Sequence, residues 1–304
     1  KDVIVVSSVS CIYGMGGPTA MQENIMPLLS EHGNNITLNE KLFARIKAVY
    51  DQKDQANLTP EQSKLLEKVY NSFVRSGANL EGEAKEQYRA LSKELSLLTL
   101  QFGENNLKET NDYKLVLTDP AQLAGLPQSA IDAAAETAKE KGVEGWVFTL
   151  QAPSYSPFMT YASNRDLRCK LYMAYNTKCT HDNETNNLEI VKKLVNTRLA
   201  IAQLLGYSSF AEYNLQERMA ENSGNVYKLL DQLLDAYTPT AKQEYAEVEA
   251  LARQLEGSDF TVMPWDWSYY SHKLKDQKFQ IDDEMLRPYF ELSKVKEGVF
   301  GLAT

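Results

Sequence analysis

Histidine is scarce in this chain. His32, His181 and His272 are the only three among 304 residues, and none has a second histidine four positions away. A His-Glu-x-x-His helix, which sets two imidazoles one turn apart on a zinc ion, is therefore excluded from this sequence. Cysteine is equally sparse. Cys11, Cys169 and Cys179 cannot all pair with one another and are too few for a disulfide framework, which favours a reducing, cytoplasmic setting. Long hydrophobic runs are missing as well, and nothing approaches the roughly 20 residues of a membrane span. The first apolar stretch, Val3 to Val6, follows Lys1 and Asp2 and has no signal-peptide character. The chain opens on lysine rather than methionine, which leaves room for a preceding targeting segment. Neither a Gly-x-Ser-x-Gly elbow nor a glycine-rich phosphate loop occurs, so acyl-serine and nucleotide-hydrolase chemistry have no support. Positive charge is also short. The net charge of −9 and the pI near 5.1 argue against a generic nucleic-acid or anionic-membrane surface. That acidic excess is read as solubility rather than as attraction for basic ligands.

What remains is an ordinary soluble composition, 43% hydrophobic and 24% charged, in a chain long enough for one large domain or two smaller ones. Helical periodicity dominates it. Tyr88, Leu91, Leu95, Leu98 and Phe102 form one apolar stripe, with Gly103 and Asn105-Asn106 expected to weaken the last turns. Leu188, Val191, Val195, Leu199 and Ala202 repeat the pattern, with Gly206 as the stop after Leu205. Ala241, Tyr245, Val248, Leu251 and Leu255 do the same, closing at Gly257. Pro239 either kinks one long helix over 226–255 or opens a second one. Thr59-Pro60-Glu61 reads as a cap and first turn of a helix through about Arg75, and Leu126-Pro127-Gln128-Ser129 opens another running to Lys141-Gly142. Strand signals are confined to Asp112–Leu117 and Trp146–Leu150, which flank the alanine-rich helix and predict a small paired insertion. The Pro153 to Pro157 stretch then returns the chain to helices. The fold class is mainly α.

Few residues carry chemistry. Cys179, His181, Asp182 and Glu184 form the best local metal-ligand cluster, but Asn183, Asn186 and Asn187 around them favour a helix-capping turn. Glu217 and Glu221 stand four apart on an expected helix and read as a solvated face. The rings of Trp265, Trp267, Tyr269 and Tyr270 are read mainly as core anchors at a helix start, with contact to a bound peptide as the second reading. Arg287 offers a carboxylate site, although a structural ion pair is favoured. No catalytic, cofactor-binding or metal residue is assigned.

Several blocks in order give the chain a family likeness. Pro264-Trp265-Asp266-Trp267-Ser268-Tyr269-Tyr270, Lys273-Leu274, Asp283-Glu284, Leu286-Arg287-Pro288-Tyr289-Phe290, then Val295, Gly298, Val299 and Phe300 make up the strongest of them. Leu38-Asn39 with Leu42–Lys47 and Tyr50-Asp51, then Leu66, Tyr70, Phe73-Val74-Arg75 and Gly77-Ala78, precede it. Leu205-Gly206-Tyr207, Phe210–Tyr213 and Met219-Ala220 lie between. Over about 21–304 the sequence resembles the N-terminal part of the thimet-oligopeptidase-like zinc peptidases, especially bacterial peptidyl-dipeptidases. The resemblance implies a multi-helical half of a two-lobed, channel-type enzyme, with the small β element near 112–150. It implies that short, unfolded peptides are the partners, with no nucleic acid and no membrane. It further implies that zinc is the cofactor of the intact enzyme, held by a catalytic C-terminal half that this sequence lacks, so that this segment alone is inactive. A non-enzymatic helical scaffold that binds peptides or a partner is the alternative.

Residues 1–16 differ. Val3-Ile4-Val5-Val6-Ser7-Ser8-Val9-Ser10-Cys11-Ile12-Tyr13-Gly14-Met15-Gly16 resembles a segment of the damage-recognition helicase subunit of bacterial excision repair. Joined near Gly17 to Ala20 onto a peptidase segment, it predicts a chimeric frame, with 1–20 foreign or unassigned and 21–304 as the helical region; a coincidental valine-rich strand and a natural fusion are the alternatives.

Overall fold

The computed structural model describes residues 33, 35–280 and 283–304. The 1–16 segment and its expected junction lie outside these residues. Among the described residues there are twelve α-helices and one two-stranded sheet: α1 (Glu40–Asp51), α2 (Pro60–Arg75), α3 (Gly82–Asp112), β1 (Leu115–Leu117), α4 (Gln128–Glu140), β2 (Trp146–Phe148), α5 (Ala152–Tyr161), α6 (Arg165–Asn176), α7 (Leu188–Leu204), α8 (Phe210–Leu215), α9 (Ser223–Glu256), α10 (Trp267–Phe279), α11 (Asp283–Leu286) and α12 (Leu292–Ala303). The chain is mainly α, as its periodicity predicts. No helix among the described residues is long and apolar enough to cross a membrane. Two compact units are present, Lys1–Asn105 with Asp182–Leu229, and Asn106–His181 with Leu230–Thr304.

In the first unit, local signals set the helix ends. Asn39 accepts from the Leu42 N–H to start α1. Thr59 and Gln62 satisfy each other's backbone N–H in a reciprocal capping box, with Pro60 in the first turn, so α2 begins where the sequence places it. Phe43, Phe73 and Ala78 form the small core between α1 and α2, with the Tyr50 and Tyr70 rings stacked at 3.8 Å. Leu38, Tyr88 and Ile201 gather a second core, and Leu98, Ile190 and Leu194 a third.

Two expectations need correction here. Helix α3 does not weaken at Gly103 but continues nine residues further. Its polar last turns are tied down by long-range bonds: Asn187 Nδ2 donates to the Phe102 carbonyl, and Asn105 Nδ2 donates to Asn187 Oδ1. Tertiary partners thus outweigh the low intrinsic propensity of Gly and Asn. Helix α7 spans the expected residues and buries Ala202 as expected, but the rest of the expected stripe is not the buried face. Ile190, Leu194, Thr197, Ile201 and Ala202 point inward, whereas Leu188, Val191, Val195 and Leu199 are between 38% and 57% exposed. Both sets fit a three-four spacing, so periodicity alone could not choose between them. The expected stop is present: Gly206 takes φ +87°, the Tyr207 N–H reaches the Ala202 carbonyl and the Gly206 N–H reaches Gln203.

In the second unit, β1 and β2 pair antiparallel with Leu115 opposite Phe148 and Leu117 opposite Trp146. Helix α4 packs on them. The main core joins Leu115, Leu117, Phe148 and Leu150 to Phe158, Met159, Ala162 and Leu171 from α5 and α6. Gly145 makes the turn into β2 possible, at φ +92° and so close to Leu117 that a Cβ would lie 2.1 Å from its carbonyl oxygen. Helix α9 is one continuous helix with Pro239 inside it, which decides between the two sequence-level options. Val248, Leu251 and Ala252 bury its later face, while Leu230, Leu234 and Tyr237 stay more than half exposed.

Candidate functional site

The most constrained polar centre lies in the second unit, where α6 meets the turn that opens α10. Asn164 caps α6 by accepting from the Leu167 N–H. That cap puts Arg165 and Arg168 on one face of the first turn. Pro264 begins a short 3-10 turn, and Asp266 at its end has its side chain fully buried. Arg168, equally excluded from water, donates through Nη2 to Asp266 Oδ1 at 2.8 Å and through Nη1 to the Ala162 carbonyl at 2.7 Å. Arg165 adds a fork from Nε and Nη2 to the same carboxylate, with Nη2 to Oδ2 at 2.7 Å. The Met263 N–H is the last donor.

Burial is the largest influence on Asp266 and raises its pKa. Hydrogen bonds from Arg165, Met263 and Arg168, with the Arg165 charge, together outweigh it, so the carboxyl lies below the ordinary range. Ring faces complete the shell: the Arg168 guanidinium sits 4.1 Å from the Tyr269 centroid and that of Arg165 4.4 Å from Phe260. Sequence reasoning noted Asp266 only as part of a motif and missed both arginines. Their i, i+3 spacing just after an asparagine cap was the one available signal. Chemically this is a locked ion cluster: every carboxylate oxygen already accepts two or more hydrogen bonds, and the groups are placed to hold α10 rather than to react.

The aromatic residues divide. Tyr269 and Tyr270 are buried with Val248, Ala252 and Val262, as the core-anchor reading expects. Burial and a hydrogen bond to Glu256 push the Tyr270 hydroxyl pKa up. Trp265 packs against the main core beside Tyr172, at 6.2 Å between rings. Trp267 stands apart. It is 39% exposed and stacks on Tyr245 of α9 at 5.8 Å, beside an open groove between α9 and α10.

The Cys179–Glu184 segment is a capping turn. Asn183 Oδ1 accepts from Thr185, and Asn186 Oδ1 accepts from the Leu188 N–H at the start of α7. The Cys179 N–H donates to Glu109, and Cys179 takes φ +59°. Burial, then Glu109, pushes the Cys179 thiol up to about 11, so it stays protonated at neutral pH. His181 Nε2 lies 3.3 Å from Thr177 Oγ1 and 4.0 Å from Glu109. Among the described residues, no three His, Cys, Asp or Glu side chains lie together as a cation site.

Glu217 and Glu221 do not share a helix, which corrects the expected i, i+4 pair. Helix α8 ends at Leu215 and α9 starts at Ser223, and Glu221 sits between them at φ +64°. Glu217 instead meets Arg75 at 3.3 Å, and the Arg75 guanidinium lies over Tyr213. The Arg287 side chain lies outside the described ones.

Residues 158–304 match Peptidase family M3. The chain is 33% identical over 303 residues to oligopeptidase A of Haemophilus influenzae, covering 97% of this chain and 44% of that protein. It is 35% identical over 282 residues to oligopeptidase A of Escherichia coli, covering 91% and 41%. With the dipeptidyl carboxypeptidase of Escherichia coli the identity is 33% over 285 residues, covering 93% and 42%. The chain thus spans less than half the length of the curated relatives it matches.

Proposed function

We propose, from the premise that residues 158–304 match peptidase family M3, that this chain is the N-terminal helical portion of a zinc metallopeptidase acting on short peptides. The observation that carries the reading is the extent of the similarity. It runs through both compact units at about a third identity, and the relatives it reaches are oligopeptidases and dipeptidyl carboxypeptidases. The described residues do not fit the family's zinc, since they gather no ligand set. The ion therefore falls to the portion of the relatives' length that this chain does not span. The part played by this chain is architectural: it supplies helical wall, with α10 fixed in place by the Asp266 cluster and with Trp267 presented beside it.

Residues 21–304 act as the helical region of that enzyme. Cys169 and Cys179, both free thiols, suit a reducing cytoplasm. The test compares peptide hydrolysis by this chain with hydrolysis by the same chain extended through the remainder of its M3 region. The extended protein should cleave short internally quenched peptides and lose activity to a zinc chelator, and the 304-residue chain should not cleave them. Chelator-sensitive cleavage by the 304-residue chain alone, or an inert extended protein, would overturn the reading.

A further inference from the structure

The groove between the later half of α9 and α10 encloses about 490 Å³, within the range of sites that hold small ligands. Its α9 wall presents Glu244, Glu247 and Val248, and its α10 wall presents Trp267, Leu274 and Lys278. An ion pair bridges the walls, with Lys278 Nζ donating to Glu247. That pair neutralises one charge on each wall. Lys275, also on the lining, is already engaged by another group. Glu244, three residues before Glu247 on the same face, makes neither a hydrogen bond nor an ion pair with any described residue. Glu244, solvent-exposed, is thus the charged side chain of the lining without a partner among the described residues.

Beside it lies an open aromatic surface. The Trp267 ring is held parallel to Tyr245 within 8°, and Phe279 at the far end is 65% exposed. Ser271, also on the lining, has a buried hydroxyl without a hydrogen-bond partner. An uncompensated carboxylate beside an indole face and an aliphatic floor is complementary to a cation carried on an apolar stem. Indole faces attract such cations, and lysine and arginine stems cover apolar surface while the charged head stays solvated. A carboxylate at the end of the stem adds a charge-assisted hydrogen bond.

We propose that this groove binds a lysine or arginine side chain of a short peptide, with the stem on Trp267 and Leu274 and the cation at Glu244. The identity of the carrier as a peptide rests on the peptidase reading above.

The test is isothermal titration of the 304-residue chain with acetylated, amidated short peptides that differ at one position: arginine, lysine, citrulline or norleucine. Arginine and lysine peptides should bind about fivefold more tightly than the neutral ones. Glu244→Gln should abolish that preference while leaving the thermal midpoint unchanged, because the side chain has no partner to lose. Equal affinity for citrulline and arginine would overturn the proposal, as would a preference that survives Glu244→Gln or an absence of binding by every peptide. None of these outcomes touches hydrolysis by the extended protein, so the peptidase reading stands or falls separately.

Discussion

Arg168 and Asp266 are 98 positions apart in sequence, yet their side chains meet at 2.8 Å with essentially no exposure to water. Such a pair does not owe its value to Coulomb attraction alone, because both groups gave up hydration to form it. Its consequence is geometric. Asp266 has its full complement of donors only where α6, the Met263 turn and the start of α10 are in their observed places.

Replacing Asp266 with asparagine should therefore cost far more than the loss of a surface ion pair. Arg168 would keep its carbonyl contacts but face a neutral amide in a buried site. The expected loss of unfolding free energy is about 3–5 kcal/mol, measured from urea denaturation. A loss below about 1 kcal/mol, typical of exposed pairs, would show that the cluster does not hold the unit together.

The same carboxylate sets an acid limit. Its folded pKa is depressed, so the stabilisation is present above the unfolded aspartate value near 3.9 and is lost as pH falls through the lower folded value. The thermal midpoint should drop between about pH 5 and pH 2, and the drop should be shallower in Asp266→Asn. Parallel curves for the two proteins would assign acid sensitivity to other groups.

Two glycines with positive φ should respond unequally to alanine. At Gly206 a methyl group meets open space, so Gly206→Ala should cost only the left-handed backbone penalty, about 1–2 kcal/mol. At Gly145 the methyl would collide with the Leu117 carbonyl oxygen, which belongs to the paired strand. Gly145→Ala should lose clearly more stability than Gly206→Ala, and the reverse order in thermal melts would contradict the β1–β2 geometry.

Leu230, Leu234 and Tyr237 line one side of α9 at four- and three-residue spacing, and each is more than half exposed. A contiguous apolar surface of this kind promotes association. Sedimentation velocity should show concentration-dependent growth of the sedimentation coefficient, reduced in Leu234→Glu. A concentration-independent monomer would remove the surface as a site of self-contact.

Much of this architecture was legible in the sequence because it is encoded locally. Thr59 with Gln62, the Gly206 stop and the two short strands around the alanine-rich helix all depend on neighbours within a few residues, and all appear where the sequence places them. Features that depend on distant partners were not legible. Helix α7 carries two apolar stripes, and only packing against α3 shows that Ile190 and Leu194 face inward. Helix α3 outlasts Gly103 because Asn187, more than eighty residues away, bonds to Phe102 and Asn105. The ion cluster was invisible for the same reason. Arg165 and Arg168 look like surface charge until Asp266 arrives from about a hundred residues downstream.

Pro239 gives α9 a point of early solvent entry. Proline supplies no N–H to the carbonyl of Asp235, so the ladder of the 34-residue helix lacks a rung there, while the Thr238 hydroxyl is turned back onto Leu234. Amide exchange along α9 should therefore fall into two protected stretches separated by a faster window. The later stretch, anchored by Val248, Leu251 and Ala252, should hold its protons longest.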